Sequence, residues 1–172
     1  TLQVFRAQVV EVEVTDGVAL NSMGDPSRDL NLTVNAALVT GPGGHFVVTS
    51  EFANQVAGST NQLTIRAADQ FGNTDTTYIG DHTLVFSGPG TVGAFNPKVA
   101  TVDVGTNTTV NFVLGQSAAG AAPLVPVKAE TFTIHATEGA ITSIPSFGAT
   151  ITVTAALVTG PGGHFVVTSE FA

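Results

Sequence analysis

Apolar and polar residues alternate along this chain with a period of two, in short bursts broken by glycine, proline and acidic turns. Residues 9–15 set Val10, Val12 and Val14 against Glu11 and Glu13, and residues 131–137 set Phe132, Ile134 and Ala136 against Thr133 and His135. Successive side chains of a strand point to opposite faces, so each burst predicts a strand with one apolar and one wet face. Both run into an acidic residue and a glycine, Asp16-Gly17 and Glu138-Gly139, where glycine supplies the positive φ of a turn. Between them, strands are expected at 45–49, at 62–68 with Leu63, Ile65 and Ala67 inward, and at 77–79 with 83–87, Leu84 and Phe86 inward. Further strands are expected at 99–104 and at 108–114, with Val110, Phe112 and Leu114 on one face. Residues 69–73 (DQFGN) read as a turn, 115–126 as a loop, and 30–35 and 149–154 as the closing strands. No stretch joins an apolar period of 3.6 to helix caps, so no long helix is expected.

A second periodicity is much longer. Residues 36–53, AALVTGPGGHFVVTSEFA, return letter for letter as residues 155–172, 119 positions on (155 − 36). Packing constraints alone would keep the apolar pattern and not every letter, so this is a duplicated unit. The flanks are in phase: residues 1–20 lie on 123–142 without a gap, matching Leu2 with Leu124, Ala7 with Ala129, Val12 with Ile134 and Gly17 with Gly139. Residues 30–35 fall on 149–154. The expected organisation is residues 1–43 as the C-terminal strands and linker of a preceding unit, 44–162 as a complete unit with its linker, and 163–172 as the first strand of a following unit. The linker core is Thr-Gly-Pro-Gly-Gly at 40–44, copied at 159–163, short enough to restrict relative motion of the units. About seven or eight short strands separated by turns predict an all-β antiparallel sandwich.

Composition narrows the function classes. Only 10% of residues are charged, and the net charge is −8, which repels phosphate backbones and anionic headgroups. No nucleic-acid partner and no membrane insertion in this segment are expected, since no apolar run approaches the length of a span. The absence of cysteine fits either redox compartment, whereas the Thr-rich, Lys-poor, repetitive composition points to export.

The run 62–73 (QLTIRAADQFGN), followed by Tyr78-Ile79-Gly80 and by Leu84-Val85-Phe86, resembles the tandem bacterial Ig-like repeats of large surface and secreted proteins, relatives of invasin-type and filamin-like sandwiches. The entry Lys128-Ala129-Glu130-Thr131 to the strand ending Thr137-Glu138-Gly139 resembles the same repeats. The resemblance implies an Ig-like sandwich in an extended, many-copy stalk or fibre outside the cell. It says little about activity.

Candidate chemistry is sparse. A nucleophile would need a base from among His45, His82, His135 and His164, and none stands in a supporting motif, so no catalytic residues are assigned. Asp69, Asn73, Asp75 and Asp81 form an oxygen-rich cluster and are the candidate calcium ligands, with Asp16 and Glu138 beside the linker as a second possibility; calcium is the one cofactor expected. The spacing of a calcium loop is absent, and Asp and Asn equally serve a turn by bonding its backbone. Lys98 and Lys128 are the lysines available for an isopeptide cross-link, and N-x-S/T sequons stand at Asn31 and Asn107. Tyr78 and the phenylalanines could line a sugar platform, but Phe46, Phe86, Phe112 and Phe132 fall on predicted inward faces. The expected role is a structural unit of an extracellular fibre or adhesin stalk, joined head to tail to neighbouring copies. The alternatives are a carbohydrate- or host-protein-binding module and a pilus-like subunit polymerising by strand donation.

Overall fold

The computed structural model of the chain describes residues 2–13, 29–158 and 163–164. The expected turn at Asp16-Gly17, most of the second linker and residues 165–172 of the expected third-unit strand lie outside the described residues. Among the described residues there are fourteen strands and no helix. They are β1 (Gln8–Val12), β2 (Leu30–Val34), β3 (His45–Ser50), β4 (Asn54–Val56), β5 (Asn61–Ala68), β6 (Gly80–Ser87), β7 (Lys98–Val99), β8 (Val102–Asp103), β9 (Asn107–Val113), β10 (Gln116–Ser117), β11 (Pro123–Val125), β12 (Thr131–Glu138), β13 (Ile141–Thr142) and β14 (Ala149–Thr154). The architecture is the expected all-β, largely antiparallel sandwich, with more strands than the pattern predicts. Six of the fourteen are elements of two or three residues, too short to show a period.

One layer runs β4-β14-β12-β6-β9, with β4 parallel to β14 and the other pairs antiparallel. The other is built on β5, flanked by β3 on one side and by β11, β7 and β8 on the other. β3 lies across the sandwich from β12 and β14. β10 pairs with both β9 and β5, so the ladder continues from one layer into the other. The alternating inward residues close the core: Phe46 and Val48, Leu63, Ile65 and Ala67, Leu84 and Phe86, Val110 and Phe112, Phe132, Ile134 and Ala136, and Ile151 and Val153 are all buried. Each of the large ones contributes about 1.5–3 kcal/mol by leaving water.

Four expectations are corrected by the structure. The strand predicted at 99–104 is a tight hairpin, because Ala100 and Thr101 take positive φ (49° and 70°) between β7 and β8. Leu114 was expected inward but is 64% exposed, since it turns at φ 48° where β9 hands over to β10. The segment 115–126, read as a loop, contributes β10 and β11, which give β5 partners for backbone groups that would otherwise be buried unpaired. Residues 77–79 form no strand; they bring Tyr78 into the core.

The hairpin β1–β2 repeats the pairing of β12 and β14 residue for residue. Val10 faces Leu32 as Phe132 faces Ile151, and Val12 faces Leu30 as Ile134 faces Ala149. The positions match those given by the sequence offsets. Burial differs: Phe132, Ile134, Ile151 and Val153 are buried, while Val10, Val12, Leu32 and Val34 are only half-buried.

Candidate functional site

β5 ends at Ala67 and Ala68, both fully buried, and the chain must then reverse beside the core. Asp69 makes that reversal possible. Its Oδ1 accepts the N–H groups of Phe71 and Asn73, each at 2.9 Å, and its own N–H reaches the Asn73 carbonyl at 2.9 Å. This is the backbone-bonding role that a short carboxylate plays in a turn. Asp75 does the same two residues further on, accepting the Thr77 N–H (3.0 Å) and hydroxyl (2.6 Å) on Oδ1.

Each carboxylate has a second oxygen, and both second oxygens hold the linker. The Ala37 N–H donates to Asp69 Oδ2 at 3.0 Å, and the Val39 N–H donates to Asp75 Oδ2 at 2.8 Å. Alternate N–H groups of an extended segment point the same way, so one stretch of linker meets both carboxylates. Val39 is 1% exposed and belongs to the hydrophobic core cluster with Phe46 and Ile65. Asn73 adds a clamp on the hairpin side, accepting the Ala7 N–H at 2.9 Å and donating to the Phe5 carbonyl at 2.8 Å, while Phe5 packs on Phe71 at 5.0 Å. An open cleft of about 500 Å³ remains between the hairpin and residues 74–77. Its lining, four threonines with Gln8, Asn35, Asp75 and small apolar residues, has no aromatic side chain, which gives a sugar no stacking surface there.

Two glycines make the fit possible. A Cβ on Gly44 would lie 1.8 Å from the Val39 carbonyl oxygen, so the linker can fold this tightly only with glycine there. Gly115 has φ 80°, and a Cβ on it would lie 2.4 Å from the Asp75 carbonyl oxygen.

Asp69 is 2% exposed and Asp75 4%. Burial, the largest influence on each, pushes the carboxyl pKa up. For Asp69 the hydrogen bonds from the Asn73 side chain and from the N–H groups of Ala37, Asn73 and Phe71 outweigh it, and the group stays below its ordinary value. For Asp75 the Thr77 hydroxyl and the N–H groups of Val39 and Thr77 outweigh both burial and the nearby Asp69 charge. Both are therefore held as carboxylates.

Of the four candidate calcium ligands, the structure brings Asp69, Asn73 and Asp75 to the linker and places Asp81 on β6. There Asp81 accepts the Asn111 side-chain amide across the β6–β9 pair at 2.8 Å. Among the described residues no group of three or more His, Asp or Glu side chains is arranged to hold a metal. The oxygens of Asp69 and Asp75 face N–H donors. Ala37 and Val39 are members of this site that period-two reasoning missed; the signal was the letter-for-letter copying of AALV ahead of the glycines.

A second polar cluster lies on the other sheet. The Tyr78 hydroxyl donates to Glu138 Oε2, His82 Nδ1 meets Glu138 Oε1 at 3.2 Å, and the His82 ring stacks on Tyr78 at 3.8 Å. Burial first, and then the Glu138 carboxylate, raise the Tyr78 phenol well above its ordinary pKa, so it remains a donor. His135 Nδ1 meets the Ser143 hydroxyl at 3.2 Å, but Ser143 is fully buried and its oxygen accepts the Ala136 N–H. Lys98 pairs with Asp103, and Lys128 with Glu130.

No protein-family model and no curated protein sequence matches the chain.

Proposed function

We propose that this chain is a structural repeat of an extracellular fibre or adhesin stalk of the bacterial Ig-like kind, whose units follow one another head to tail with neighbouring copies as partners. The observation that carries this reading is the hairpin β1–β2. It reproduces the β12–β14 pairing in register, yet leaves half-buried the apolar side chains whose counterparts are buried in the complete unit. A two-stranded hairpin is marginal in water, so such a face calls for the remaining strands of a sandwich. The mechanism is geometric: each sandwich is a stiff bead, and the seat made by Asp69, Asn73 and Asp75 fixes the bead to the linker before it. The contact is heterologous, so repetition gives an open filament and not a closed ring.

The test is assembly. Light scattering should find extended head-to-tail assemblies of the full chain, and deletion of residues 163–172, which copy residues 44–53 and so the whole of the β3 sequence, should abolish them. Unchanged assemblies after that deletion, or a chain that stays single at every concentration, would refute the reading.

A further inference from the structure

We propose that the segment 155–158 is a second docking element, and that its partner is the Asp69–Asp75 seat of a second copy of this unit. This rests on the repeat reading above and names its joining contact. Residues 155–163 have the same letters as 36–44. The described residues at either end approach each other alike: a Cβ on Gly163 would lie 1.8 Å from the Val158 carbonyl oxygen, the same distance that separates a Gly44 Cβ from the Val39 carbonyl oxygen. The same close approach of glycine to the valine carbonyl therefore recurs in both places, and a preformed backbone approach lowers the entropic cost of docking.

What differs is cover. Val39 is 1% exposed, and Val158, its copy, is 48% exposed. In the first copy the Ala37 and Val39 N–H groups meet two carboxylates. Ala156 and Val158 carry the same pair of donors two residues apart, on a segment of the same letters. A surface that receives this segment must offer two acceptors at that spacing and an apolar hole for valine. The Asp69–Asp75 seat has both, and it recognises backbone and one small side chain, which suits a segment copied without change. A sugar or a metal ion would use neither the two N–H groups nor the valine.

The experiment extends the full chain. Because residues 164–172 repeat 45–53, appending a copy of residues 54–154 after Ala172 rebuilds a second unit with its own seat. Amide hydrogen exchange is then read at Val158, with Val39 as the internal standard. The expected result is exchange at Val158 at least about tenfold slower than in the present chain, as a buried charge-assisted bond requires. Asp75→Ala made only in the appended copy should return Val158 to fast exchange and leave Val39 unchanged. Fast exchange at Val158 while the core amides of the appended unit are protected overturns the proposal, even if scattering finds the chain elongated. Slow exchange in a chain that scattering finds compact supports the docking and goes against the fibre. A second measurement needs no appended unit. In the full chain carrying Val39→Asp, which ejects its own linker from the seat, a synthetic peptide of residues 154–164 should shift the Thr77 amide resonance at millimolar concentration. No shift overturns the proposal.

Discussion

Replacing Asp75 with alanine should release residues 37–39 from the end of β5. The carboxylate makes three hydrogen bonds, to the Val39 N–H at 2.8 Å, the Thr77 N–H at 3.0 Å and the Thr77 hydroxyl at 2.6 Å. The two Thr77 donors are part-buried and can turn to water, so their loss is inexpensive. The Val39 N–H is buried and has no such recourse; leaving it unpaired costs about 1–3 kcal/mol beyond the bond itself. A total near 3 kcal/mol is expected for Asp75→Ala, a large share of the ~5–15 kcal/mol that holds a domain together. In a chain of this size that lowers Tm by about 6–12 °C. Asp75→Asn keeps the shape but has one acceptor oxygen where two are used, so its amide group must face either Val39 or Thr77, and about half the loss is expected. Urea unfolding of the full chain gives the magnitude, and hydrogen exchange at the Val39 amide gives the place. If Asp75→Ala stays within about 0.5 kcal/mol of the parent chain and the Val39 amide remains protected, the carboxylate does not hold the linker and the reasoning fails.

Other substitutions and pH probe the same junction. Val39→Ala removes two methyl groups from the core, about 1.6 kcal/mol of transfer energy, and with the cavity left behind should cost about 2–3 kcal/mol by denaturant melts; Leu38→Ala, at an exposed neighbour, should be near neutral. Asp69 and Asp75 both titrate below their ordinary value of 3.8 in the folded chain, so their contribution is complete above pH 3.8 and is lost as the pH falls through their lowered values. Thermal melts between pH 7 and pH 2 should therefore keep this contribution until the pH drops below 3.8, and a loss centred near pH 6 would assign it to other groups. Gly115→Ala and Gly72→Ala both force a side chain to positive φ, about 1–2 kcal/mol each, but only the first meets backbone, at the Asp75 carbonyl. Gly115→Ala should cost a further 1–3 kcal/mol or so, and equal melts for the two variants would deny the close contact.

Period and repetition are local properties of the chain, and they alone determined much of this protein. Alternation placed Leu63, Ile65, Leu84, Phe86, Val110 and Phe112 inward, because the side-chain period of a strand leaves no other choice once one face is buried. The offsets between the copies anticipated that β1–β2 pairs as β12–β14 does, since equal apolar patterns on the two strands select equal registers although the loop between them is three residues longer in the first copy. Asp69 and Asn73 were legible as turn chemistry for the same local reason. Long-range partners were not legible. Leu114 alternates like an inward residue, but its backbone leaves the strand to reach β10, and only the demand of β5 for hydrogen-bond partners decides that. The joining of Asp69 to Ala37 and of Asp75 to Val39 spans more than thirty residues, and no periodicity relates them. Whether a buried carboxylate grips a metal, a turn or a linker depends on which donors the folded chain brings within reach of its second oxygen. Here those donors are the N–H groups of a linker that must pass over the end of β5, and only the tertiary structure sets that path.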